Sequence, residues 1–152
     1  MHLSDRVYQA DRTIIHITRK IAIPALRIAL AITYIWFGAL KIVGASPVED
    51  LVAKTLRPLP KQYVVPFLGL WEMLVGIGML FRLAPRLTLA LFFLQLGGTF
   101  ATLIIRPQDT FQKKNPLLLS KDGEFVLKNL VLLAAGIAVA SRAHRSDEEI
   151  RG

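Results

Sequence analysis

Residues 64–81 read VVPFLGLWEMLVGIGMLF, eighteen positions with a single ionisable side chain, Glu72, at their centre. A helix needs about 20 mostly apolar residues to cross the roughly 30 Å of bilayer hydrocarbon. A run of this length is therefore either a membrane span or a helix buried in a soluble core. The sequence on either side decides between them. One comparable window precedes it, Ile21–Val43, and two follow, Pro85–Ile105 and Phe125–Ala140. The last reaches span length only when Gly123, Glu124 and Ser141 are counted in. Four such windows in 152 residues, with 53% hydrophobic residues, leave too little polar surface to dissolve the chain as a soluble domain. The expected fold is all-α, a transmembrane four-helix bundle over residues 21–141, flanked by an amphipathic segment (1–20) and a polar tail (142–152).

The flanks and loops carry their own patterns. Val7, Ala10, Ile14, Ile17 and Ile21 recur at steps of three and four, whereas Arg6, Arg12, Arg19 and Lys20 fall elsewhere around the helix. Such a segment lies in the membrane interface or packs on a partner protein. The first apolar stretch begins only after this polar segment and exceeds the usual signal-peptide core, so it reads as a retained span. Ser46-Pro47-Val48-Glu49 has the form of a capping box opening a short helix, with Leu51, Val52 and Leu56 as its apolar side. The loop 106–123 combines Lys113-Lys114 with Leu117-Leu118-Leu119 and reads either as a cap on the bundle or as a docking site.

Four spans place both termini on one side. Of the Lys and Arg residues other than Arg27 and Lys128, nine fall toward that side and eight toward the other. The tight Arg82/Arg86 turn and the basic residues before the first span favour cytoplasmic termini. The formal net charge of +8 is spread over every loop with no recognition motif, which fits anionic lipid and excludes nucleic acid as the expected partner. No cysteine is present, so the chain supplies no thiol chemistry. His2, His16 and His144 have no second ligand at helical spacing, and no metal site is expected.

The polar residues inside the spans ask for an explanation, because a charge at mid-bilayer costs roughly 2.5–3.5 kcal/mol on insertion scales. Glu72 lies between Gly69 and Gly76, small residues on its own helical face that let another helix approach. Gln95 falls at a similar depth in the third span. Arg27, Tyr34 and Lys41 form one stripe, seven apart, on the first span, and Lys128 and Asn129 lie early in the fourth. From the helical rise, Arg27 is about 8 Å to the inner side of the midplane and Lys128 about 6–7 Å to the outer side, so either is a candidate partner for Glu72. Lipid cannot satisfy these groups. They should face inward as a seam that either fixes helix register or forms a ligand or proton site around Glu72.

Trp36–Lys41 (WFGALK) resembles the F-x-G-x-x-K signature of the DoxX family of small membrane proteins, and Gly69-Leu70-Trp71-Glu72 through Val75-Gly76 is similar to its second-helix G-x-x-E-x-x-x-G pattern. Gly123-Glu124, followed by Lys128-Asn129, is similar to the way the family opens its fourth helix. The resemblance runs from Pro24 to Ala140. It implies a four-helix bundle of the bacterial inner membrane, serving as subunit or anchor of a complex in redox or oxidative-stress chemistry, with a soluble oxidoreductase as partner and a quinone as possible ligand. The mid-span glutamate and nearly balanced loop charge also suit a proton-coupled transporter working as a homo-oligomer. A seam that only holds the helices together is the third expectation.

Overall fold

The computed structural model describes the backbone of residues 3–115 and 117–151 and the side chains of residues 11–113, 115 and 117–142. Four long helices dominate it: α1 (Leu3–Ile42), α3 (Lys61–Phe81), α4 (Pro85–Ile105) and α6 (Lys121–Arg151), with two short ones, α2 (Glu49–Thr55) and α5 (Pro107–Thr110), at the loop end. Each long helix contains a stretch apolar and long enough to cross a membrane. Consecutive spans pack side by side and α6 closes the ring on α1. Trp36, Leu74, Leu94 and Val131, one from each spanning helix, are all more than half exposed, whereas Lys41 and Glu72 are buried. Apolar outside and charged inside is the arrangement a lipid solvent requires, and this chain is a multi-pass membrane protein.

α1 runs unbroken across the 20/21 boundary, with Ile14, Ile17 and Ile21 exposed. The described side chains begin at residue 11, so Val7 and Ala10 lie outside them. Pro24 sits within this helix, where its missing N–H leaves the Lys20 carbonyl without its usual helical donor. The helix ends where Gly44 takes φ 71° and Ala45 N–H returns to the Leu40 carbonyl at 2.9 Å. This is the left-handed stop that glycine enters without steric cost. α3 ends in the same way, Leu83 N–H reaching the Gly78 carbonyl at 2.9 Å, but the left-handed residue is Arg82, φ 57°.

Two boundaries differ from the sequence expectation. The fourth span is not short, because Ser120 caps α6: its hydroxyl accepts Gly123 N–H at 3.1 Å and starts the helix at Lys121. In contrast, the capping box at Ser46 does not form. α2 starts at Glu49 with Val48 at its N-cap and no side-chain cap, because Val48 and Leu51 are buried under the bundle end. The apolar side of α2 thus faces the helices as a roof.

The roof is tied down by charge. Arg106 donates from both Nε and Nη2 to the Lys54 carbonyl, Lys54 Nζ lies 3.5 Å from Asp109, and Lys61 Nζ bonds Asp50 at 2.7 Å. The loop 106–123 therefore caps the bundle through α5 and the Phe111–Leu119 bridge. The hydrogen bond from Lys61, and then its positive charge, hold the Asp50 carboxyl below the usual carboxylate range. A carboxyl depressed on folding stabilises above its unfolded pKa and loses that contribution as pH falls through the folded value. Acidification below about pH 4 should therefore lower the melting temperature slightly, and Asp50→Asn should flatten that part of the profile.

Candidate functional site

The centre of the bundle begins with the contact between α1 and α3. A Cβ placed on Gly69 would stand 2.6 Å from the Gly38 carbonyl oxygen and 2.9 Å from Lys41 Cβ, and one on Gly76 would stand 2.8 Å from the Ala31 oxygen. The two antiparallel backbones therefore touch over two turns, with Gly38 level with Gly69 and Ala31 with Gly76. By that register Glu72 is level with Ile35, and Lys41 lies six residues nearer the loop end, about 9 Å of helical rise. Side chains lean toward the N-terminus of their own helix. In an antiparallel pair this tilts Lys41 down and Glu72 up, and the gap closes: Lys41 Nζ meets Glu72 Oε2 at 2.6 Å, with both side chains buried.

The other carboxylate oxygen is engaged from the opposite wall. Gln95 Nε2 donates to Glu72 Oε1 at 2.7 Å, and the Tyr34 hydroxyl donates to Gln95 Oε1 at 2.8 Å. Tyr34 is itself fixed by Phe92, ring centroids 5.1 Å apart, and the Phe92 ring fills the notch that Gly136 leaves in α6. Three helices thus meet through one chain of bonds, Tyr34 to Gln95 to Glu72 to Lys41. A charge pair so supplied with hydrogen bonds is the form in which buried ions are tolerated.

Beside this chain lies a cavity of about 220 Å³. Its base holds Tyr34, Lys41, Glu72 and Gln95; Phe37, Trp71 and Leu94 belong to its apolar wall, and Leu51 and Val52 of α2, with Val48 at its N-cap, close it at the loop end. Asn129 also lines it, with one amide N–H spent on the Phe125 carbonyl at 2.9 Å. Among the described residues Lys41 makes a hydrogen bond only to Glu72. An ammonium has three N–H donors, so two remain for whatever enters. The arrangement suits a molecule with an apolar body and an oxygen acceptor at one end.

Of the residues marked from sequence, the structure gathers Tyr34, Lys41, Glu72, Gln95 and Asn129. It does not bring Arg27 or Lys128 to Glu72. Arg27 leans toward the end that carries the termini and lines a different cavity there, and Lys128 is exposed on α6. Depth alone pointed to those two cations; the direction of the Cα–Cβ bond selects Lys41. The roof from α2 and the lining role of Trp71, whose Nε1 donates to the Leu91 carbonyl at 3.2 Å, were not read from sequence. The apolar spacing of Val48, Leu51 and Val52 was the available signal for the first. No group of three or more His, Cys, Asp or Glu side chains that could hold a metal occurs among the described residues. No family model matches the chain, and neither a curated protein nor a solved structure matches it.

Proposed function

We propose that this chain is a membrane subunit of the DoxX type that holds the headgroup of a lipid-soluble quinone beside Glu72 and anchors a soluble redox partner. The observation that carries the reading is the cavity itself, apolar in its walls and donor-rich at its base. A quinone ring combines a flat apolar body with carbonyl acceptors, and when bound it would supply two-electron, two-proton chemistry. The residues of this chain bind and orient. Lys41 has donors to spare for a carbonyl oxygen, Glu72 fixes the direction of Lys41 and Gln95, and Tyr34 holds Gln95 in place. With no cysteine in the sequence, electrons enter through the partner protein. The end bearing the termini, with its Arg82/Arg86 turn, is assigned to the cytoplasmic side of a bacterial inner membrane. A transporter built on Glu72 has less support, since both of its oxygens are engaged.

Gly98 gives the test. It lines the cavity, yet a Cβ there would meet nothing within 4 Å. Gly98→Leu should fill the cavity without crowding the helices, so quinone that co-purifies in mild detergent should be lost while the melting temperature holds. Wild-type protein free of quinone, or a variant retaining as much as wild type, would sink the proposal. Native purification should also bring down the soluble partner in fixed ratio.

A further inference from the structure

A second cavity, of about 280 Å³, lies at the opposite end of the bundle among α1, α3, α4 and α6. Lys20 and Arg27 line it from α1, two turns apart on one face, with Arg82 from the end of α3 and Arg142 from α6. No carboxylate is found among the described residues that line it. The positive charges of Lys20, Arg27 and Arg82 around one hollow repel one another, and an anion among them would relieve that repulsion.

Three further observations point the same way. Arg27 Nε is buried without a hydrogen-bond partner among the described residues, and a dry donor of this kind costs stability until something accepts from it. Arg82 occupies a left-handed position, φ 57°, where glycine is the unstrained choice, so the chain keeps this guanidinium at a backbone cost. Pro85 lines the cavity too, at the first turn of α4, which has no side-chain cap and turns the positive end of its dipole toward it. Ile23, Met79 and Leu89 supply an apolar side facing the span.

We propose that this cavity binds a phosphate group at the membrane surface, that of an anionic phospholipid headgroup whose glycerol and acyl portion runs along the apolar side. Arg27 and Arg82 provide planar N–H pairs suited to phosphate oxygens. Lys20 adds charge at the rim.

The test uses the full chain in phosphatidylcholine nanodiscs, with or without phosphatidylglycerol, reading melting temperature and lipid retained in native mass spectrometry. Phosphatidylglycerol should raise the melting temperature and remain bound. Arg27→Gln and Arg82→Gly should each weaken retention about fivefold, the usual effect of one cation near an anionic surface. Arg82→Gly is the informative variant, because it relieves the left-handed strain. It should melt no lower than wild type in pure phosphatidylcholine and still lose the response to phosphatidylglycerol, which a merely structural arginine would not do. Lys121→Gln, at the loop end, should change nothing. A third arm adds inorganic phosphate to the phosphatidylcholine sample. Equal protection there, lost in both variants, would support the phosphate site and overturn its lipid source. No response to either probe, or full phosphatidylglycerol preference in the Arg27→Gln/Arg82→Gly double variant, overturns the proposal.

Discussion

Glu72→Ala is expected to destabilise the bundle by about 3–5 kcal/mol, the cost of leaving one member of a buried ion pair without its partner. The Lys41 side chain is as buried as that of Glu72, so little water reaches its ammonium to replace the carboxylate. Gln95 would lose its acceptor in the same step, and with it the bond that fixes the amide to which Tyr34 donates. The pair is not irreplaceable, however. Removing both charges with residues of similar volume, Lys41→Met with Glu72→Leu, should recover most of the loss, because the desolvation cost of both ions disappears with them. Thermal unfolding in detergent, followed by size-exclusion chromatography, compares the three proteins. A single variant that melts within a degree or two of wild type would mean that water reaches the pair, and a double variant as weak as the single one would mean that the residues do not act together.

Gly69→Leu should be at least as severe. Even alanine has no room: its Cβ would sit 2.6 Å from the Gly38 oxygen, and the reciprocal substitution at Gly38 would meet Met73 N at 2.9 Å. The nearest neighbour of each is a backbone carbonyl oxygen, which cannot rotate aside, so α1 and α3 must separate. Overpacking of this kind costs about 1–3 kcal/mol for alanine and more for leucine. Separation also draws Lys41 away from Glu72, since Lys41 Cβ lies 2.9 Å from the same point. The loss should therefore be smaller in the Lys41→Met, Glu72→Leu background. Gly97→Ala is the control: its Cβ would meet nothing within 4 Å, and exchanging glycine for alanine in a helix gains up to about 1 kcal/mol. Refolding yield and melting temperature distinguish the two sites, and a Gly69→Leu variant that melts like wild type would refute the close contact.

Both variants bear on what was legible in the sequence. The four spans were readable because length and hydropathy are summed over about twenty residues, so an error at one end changes little. The glycine face of α3 and the inward placement of Glu72 and Gln95 were readable for a similar reason: lipid leaves polar groups only one place to go. The pairing of Glu72 was not, because it depends on the level at which α1 meets α3 and on the tilt of side chains toward opposite ends of an antiparallel pair. The capping box failed on tertiary grounds, as burial of Val48 outweighed a local motif. Ser120, in contrast, is an ordinary N-cap residue three positions before a glycine, and its signal was present in the sequence beside a span judged too short.

The roof over the central cavity has a kinetic consequence. With α2 tied across the loop end and Gly97 and Gly98 placing no side chain on their part of α4, a molecule that binds as proposed above should reach Gln95 by dissolving in the bilayer first. Its concentration at the doorway is then set by its oil–water partition coefficient. In a homologous series with one headgroup and lengthening tails, occupancy at fixed aqueous concentration should climb with each added methylene, although the tails touch none of the polar groups at the base.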